Sequence, residues 1–434
     1  MFQRTPFTPL LILLLFAGSC SLGDELRQPY GSIPDPIPLT LPVDHSFQPL
    51  VEKTYSDQVY SIEWRRNGRS GDLPVIRLKS NDVLELRFDL MEFESRDLRA
   101  RFYHYNPDWT PSNQPDTFFM EGYPLQNIPV GAVSRSLRPS YRSYMFQFPN
   151  PDLKFRLSGN YKLSVEDGVT GEILFTKVFF VMENVGEVVS SVEKRMSRDD
   201  QLRRRDYPVS RYLLPDDLEN PQFNLKFFYV QNGFWGQMEE AMELDFSMED
   251  EVQFEMRQEQ PFVGDMEFLR LPLSDVTIQS ALLAEVDPSS EPPKVALFDD
   301  VQGFSAPISR ESPSRVSKIR NHPDARYAEV FFRFDPKEDV PPWSAVYLTG
   351  GFSNWQLQER HRMKYDASSD RWEGSAIMKE GVYAYKYVLV EGGRMNDTAL
   401  DDLFSRTQQE YHALVYFRDP DRFYYRLLQV HSFR

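Results

Sequence analysis

His104, Asn106, Asp108, Trp109 and Asn113 fall within one run of eleven residues, HYNPDWTPSNQ (104–114). An imidazole, a carboxylate and two carboxamides are residue types from which hydrolytic sites are built. The remaining histidines, His45, His322, His361, His412 and His431, are scattered, so neither a helix nor a hairpin is expected to present two adjacent imidazoles. HExxH, GxSxG, GxGxxG and the P-loop are absent. Cys20 is the only cysteine, which removes a Cys-cluster metal centre, an iron–sulfur site and a CxxC redox pair within the chain. The 65 acidic residues place carboxylate pairs everywhere, so such pairs say nothing about glycosidase chemistry. Within the run, Pro107 and Pro111 fix φ, while Asp108, Ser112 and Asn113 can bond nearby backbone as turn formers do. Tyr103, Tyr105 and Trp109 offer apolar surface to anchor it. The expectation is a self-supported loop after a strand, with no catalytic residue, metal ligand or cofactor.

The elements around this loop read as strands. In VLELRFDL (83–90), Leu84, Leu86, Phe88 and Leu90 alternate with Val83, Glu85, Arg87 and Asp89, the pattern of a strand with one buried face. YKLSVEDGVTGEILFTKVFFV (161–181) gives two strand-like runs around a Gly168–Gly171 turn. Aromatic residues at 14% and 32 prolines favour sheets with stiff turns over long helices. The fold class expected is all-β, several consecutive antiparallel β-sandwiches of Ig-like, early-set type with few short helices. The first sandwich is placed at 51–185. The charged run EKRMSRDDQLRRRD (193–206) lies in an expected solvated linker, 186–215, where Arg203, Arg204 and Arg205 are read as solvent-facing. A second β-rich domain follows at 216–322, with a helix over 278–286 and a polar tail. The last sandwich is placed at 323–434, with Trp372, Ala376 and Met378 on one face and Tyr383, Tyr385, Tyr387 and Leu389 on another.

The start of the chain, MFQRTPFTPLLILLLFAGSCSLGDE, has a positive Arg4, a short apolar run (10–16) and small residues before Cys20. Residues 1–19 read as a signal peptide, too short in its apolar part to span a bilayer. Ala17-Gly18-Ser19-Cys20 resembles a bacterial lipobox, which makes Cys20 the expected lipid attachment site. Residues 20–50 read as a lipidated Cys followed by a Pro-rich tether. The net charge of −16 disfavours nucleic acid and anionic membrane surfaces as partners.

GGFSNW (350–355), Trp372 and KEGVYAYKYVLVEGG (379–393) resemble the early-set modules of carbohydrate-binding family 48. That resemblance implies a possible sugar platform of Trp355, Trp372 and Lys386, although Glu391-Gly392-Gly393 departs from the family's Asp-Gly ending. The alternative function it carries is a periplasmic or surface lipoprotein that binds α-glucans through its C-terminal module. The same scaffold also occurs as a non-binding module in which these tryptophans pack the sandwich.

Taken in order, HYNPDWTPS (104–112), FQFPNPD (146–152), SGNYKLSV (158–165), NP…VQNGFW (220–235), GGFSNW, KEGVYAYKY and TQQEYHALVYFRDPDRFYYRLL (407–428) make the chain similar to the plug proteins of the bacterial type IX secretion system. The resemblance implies a non-catalytic periplasmic protein that binds and seals the mouth of the giant outer-membrane β-barrel translocon. It further implies an anchor on the inner leaflet through Cys20 and no small-molecule substrate.

Overall fold

The computed structural model describes Phe47 and residues 51–135, 139–196, 203–216, 218–280, 283–303, 317–337, 340–391, 393–402 and 407–434. All of them lie in one compact body, Pro38–Arg434. The expected leader 1–19, Cys20 and the expected tether, apart from Phe47, fall outside the described residues. Strands dominate, and the only α-helices among the described residues are the single turns Asp116–Phe119 and Pro221–Asn224. The chain is all-β, built as sandwiches.

In the first sandwich, Leu84–Leu90 lies between Val59–Arg66 and Arg142–Phe148 in one sheet. The hairpin predicted around Gly168–Gly171 forms as Gly159–Asp167 and Ile173–Met182, and Leu98–Tyr105 pairs beside it in the facing sheet. Alternation sends Leu84, Leu86, Phe88 and Leu90 into the core, all 1% exposed or less. There they meet an aromatic mesh in which Phe148 lies 5.0 Å from Phe102 and 4.9 Å from Phe179. The opposite face of Leu84–Leu90 is buried too: Glu85 and Asp89 are 5% and 3% exposed. A sheet facing water on one side would leave them wet, so a second body must cover Asp89.

The segment expected as a linker is ordered sheet. Glu187–Met196 pairs antiparallel with Arg204–Leu213 along ten rungs, and Arg204–Leu213 continues to Glu251–Glu255. The charges that suggested a solvated run sit on the outer side of this ladder, while Asp206, Ser210 and Tyr212 point inward and are buried. Arg203 is itself 6% exposed and reaches Asp265 at 3.5 Å and the Thr398 carbonyl, so it is no solvent-facing residue.

The facing sheet of this middle sandwich corrects the domain boundary. Leu225–Gln231 pairs with Tyr411–Arg418, which pairs with Tyr425–Phe433. The end of the chain therefore completes the middle sandwich and is not part of the last one. Phe227 stacks on Phe254 at 4.2 Å in its core. The described strands from Leu269 to Asn396 form a third sandwich inserted between Phe262–Val263 and Tyr411–Arg418. Its sheets centre on Gly381–Glu391 and on Tyr327–Asp335, and Trp372, Ala376, Met378, Tyr383, Tyr385, Tyr387 and Leu389 face one core as expected. Leu283–Asp287 is a strand paired with Lys294–Leu297, where a helix was expected over 278–286. Its place is set by pairing with Lys294–Leu297, which the parallel pairing with Tyr327–Asp335 holds in the sheet.

Candidate functional site at the seams between the sandwiches

The HYNPDWTPSNQ loop leaves the end of strand Leu98–Tyr105 and closes on itself. Asn106 N–H donates to the Thr110 carbonyl at 2.8 Å, and Trp109 N–H to the Asn106 carbonyl at 3.0 Å. Asp108 Oδ1 accepts from both Thr110 N–H (3.0 Å) and Thr110 Oγ1 (2.6 Å), the Asx arrangement its sequence suggested. Trp109 adopts φ 61°, a left-handed value that bulky residues rarely take. That turn aims the indole across the seam: its Nε1 donates to the Trp235 carbonyl at 2.8 Å, and the ring meets Phe180 edge-on at 5.8 Å.

His104 faces the other way, into the first core. Nδ1 lies 2.7 Å from Ser112 Oγ and Nε2 lies 3.1 Å from the Ser158 carbonyl. Phe119 stacks on the ring and Tyr161 meets it edge-on at 4.9 Å. Burial pushes its pKa down to about 4, with the Ser158 carbonyl opposing only in part. The imidazole is therefore neutral, held on both nitrogens and enclosed, with no room for a substrate. Gly159 seals the pocket, since a Cβ there would lie 2.5 Å from His104 Nε2. His412 and His431 stand on adjacent rungs of one hairpin, but successive residues of a strand face opposite sides, so their rings do not converge. Among the described residues no group of three His, Cys, Asp or Glu side chains is placed to hold a metal ion.

What the loop does is join sandwiches. Val75, Val178 and Phe180 of the first pack on Phe228, Trp235 and Leu414 of the middle, with Trp109 at the edge. Asn160 in the first sandwich donates to the Asn106 carbonyl and accepts from Tyr416 of the middle one at 2.6 Å. The turn 419–424 pushes Tyr424 into the first sandwich's own core, 6.0 Å from His104.

A second seam explains Asp89. Lys379 of the inserted sandwich reaches its Oδ2 at 2.7 Å, with both side chains almost fully buried. Tyr327 O–H donates to the same oxygen at 2.7 Å, Ser143 Oγ donates to Oδ1, and the Lys379 ammonium sits 4.4 Å above the Tyr141 ring. Lys177 repeats the device nearby, donating to Glu52 at 2.5 Å and to Asn354 of the inserted sandwich at 2.9 Å. Buried ion pairs with every oxygen engaged favour one relative placement of two bodies, because any slippage strands a charge.

The third seam takes the residues expected to bind sugar. Trp355 is 3% exposed, at φ 59°, and packs at 5.3–5.6 Å against Phe47, Phe234 and Phe268. Trp372 is 2% exposed inside the inserted core, beside Tyr365 at 5.6 Å. Lys386 is 1% exposed and donates to Asp401 at 2.9 Å. A sugar platform needs open aromatic faces, so this trio is corrected to packing residues: two lie at the seam and one in a core, and none presents a face to solvent. Asp401, pushed up to about 7 by burial while Lys386 pulls it down, also accepts the Glu267 N–H at 2.9 Å. Gln409 Nε2 donates to the Met266 carbonyl at 2.7 Å. The entry and exit of the insertion are thereby tied together. Phe47, fully buried here, had no signal of its own in the tether sequence beyond being its one phenylalanine.

Residues 59–183, the first sandwich with its docking loop, match the family described as type 9 secretion system plug protein, first domain. The match covers the first sandwich and supports the type IX secretion plug family. A solved structure of a hypothetical protein from Parabacteroides merdae ATCC 43184 is similar at 24% identity, covering 88% of this chain and 99% of that one, with a TM-score of 0.78. At that identity the likeness shows a shared fold. Dimeric latent PorU from Porphyromonas gingivalis, at 11% identity over 86% of this chain and 33% of that one, has a TM-score of 0.14 and bears on nothing here. No curated protein matches the chain. The plug-family match supports a role in type IX secretion.

Proposed function

We propose that this chain is a non-catalytic stopper that binds the periplasmic mouth of the outer-membrane translocon of the type IX system and seals it. The observation that carries the reading is the plug domain at 59–183, set in a body whose sandwiches are locked by buried charge at the seams. A wide water-filled pore leaks unless its cover is broad and stiff. Three sandwiches joined by the Trp109–Trp235 contact, the Asp89–Lys379 pair and the Lys177–Asn354 bond give such a cover. A lipid on Cys20 would hold the body at the inner leaflet of the outer membrane and raise its effective concentration at the barrel.

The test is an affinity pull-down of the tagged full-length chain from its native host in mild detergent, with partners identified by mass spectrometry. Recovery of a very large outer-membrane barrel is expected. If none co-purifies, even from cells lacking the cargo-carrier subunit, the stopper reading fails.

A further inference from the structure

Away from the seams, the first sandwich carries an open groove of about 640 Å³. Leu78, Val83 and Pro149, all half-buried, give it an apolar floor with Phe155 beneath them. Two chain segments border it. Arg77 ends strand Val75–Arg77 and Lys79 lies in the turn after it, while Lys154 and Arg156 come from strand Leu153–Phe155 and the residue after it. All four cations are exposed.

Both borders are stiff. In the first, Leu78 N–H donates to the Met182 carbonyl at 2.7 Å and Ser80 Oγ to the Arg77 carbonyl at 2.8 Å, which leaves Lys79 at φ 60° on the tip. In the second, Leu153–Phe155 pairs with Met120–Gly122, where a Cβ on Gly122 would lie 1.9 Å from the Asp152 carbonyl oxygen. Arg77 is engaged by Asp82 at 3.0 Å and Arg156 loosely by Glu121 at 3.8 Å. Lys79 and Lys154 have no carboxylate at ion-pair distance among the described residues.

In a chain of net charge −16, a preformed apolar trench bordered by four cations against the two carboxylates of Asp82 and Glu121 is a local reversal of sign. A flat anionic bilayer could touch the borders but not the floor. An extended polypeptide can place apolar side chains on the floor and carboxylates against the lysines. We propose that this groove binds an acidic segment of a partner polypeptide. The proposal goes beyond the stopper reading and does not depend on it.

The experiment places a photo-crosslinking amino acid at Asn81, which borders the groove, in the full-length chain expressed in its native host. Adducts are sequenced by mass spectrometry, and the yield is compared with that in a Lys79→Glu/Lys154→Glu background. A single acidic peptide as the adduct, with its yield reduced at least tenfold by the charge reversal and the melting temperature unchanged, is the expected result. Should charge reversal impair folding, Lys79→Gln/Lys154→Gln is used and a severalfold reduction is expected. A phospholipid adduct, a neutral or basic peptide, a yield indifferent to the substitutions, or no adduct would each overturn the proposal. A peptide from a protein other than the barrel would leave the groove assignment standing while lending the stopper reading nothing, so the two fail separately.

Discussion

The indole Nε1 of Trp109 donates to the backbone carbonyl of Trp235 at 2.8 Å, which fastens a loop of the first sandwich to the middle one. Trp109→Phe keeps most of the ring and removes only that bond, so a loss of about 1 kcal/mol is expected. Trp109→Ala also empties the edge of the seam, and about 3 kcal/mol is expected. Chemical denaturation midpoints of the full chain measure both, and equal losses for the two variants would contradict the assignment.

His104 ties stability to pH. Unfolded, it takes up a proton near 6.5; folded, only near 4. The unfolded state thus binds the extra proton between those values, and stability that is full above 6.5 drains as pH falls toward 4, by up to roughly 3 kcal/mol. His361, pushed down to about 3 by burial and by Arg360, adds in the same direction. In His104→Gln the whole curve should sit lower, yet fall less steeply between pH 6.5 and 4. Parallel curves would show that the imidazole is not neutral in the folded chain.

Lys379→Met strands Asp89 as an uncompensated buried carboxylate, and a loss of about 4 kcal/mol is expected. Asp89→Asn in the same chain should restore much of it, because an amide can still bond Tyr327 and Ser143. A double-mutant cycle by denaturation tests this, and simple additivity would mean that the pair does not couple the two bodies.

The isolated fragment 323–434 is expected not to fold cooperatively. It lacks Leu269–Leu273 and Lys294–Leu297 of the inserted sandwich and carries Tyr411–Phe433 without their partner Leu225–Gln231. A fragment spanning 267–402 retains both sheets and should melt with a single transition. Calorimetry distinguishes them, and a sharp transition for 323–434 would refute the insertion.

Much of this body was legible from period-two alternation. Leu84–Leu90, the 159–182 hairpin and the tyrosine face of Gly381–Glu391 all follow from it, because each has one face in a local core. What alternation could not reveal was contact between distant segments. Glu187–Met196 looked like a linker because its ladder shows charge outward and little apolar sequence inward. Tyr411–Phe433 looked like the end of the nearest sandwich because chain order is the default guide to pairing. Trp355 and Lys386 kept the residue types of a sugar site while a neighbouring sandwich closed over them. The HYNPDWTPSNQ loop was legible as self-supporting, and its turn chemistry is the one foreseen. Its docking partner Trp235 lies 126 positions away and leaves no trace in the local pattern.

The insertion fixes an order of assembly. The strands Tyr411–Arg418 and Tyr425–Phe433 emerge during synthesis only after the whole inserted sandwich has been made. Until they arrive, the middle sandwich lacks half of one sheet, the first lacks Tyr424 from its core, and the seam between them lacks Leu414, Tyr416 and Leu427. The body therefore stays loosely joined for most of the chain's synthesis. It sets hard only when its last strands are delivered, so a copy truncated before Tyr411 is left open both in the middle sandwich and at the seam.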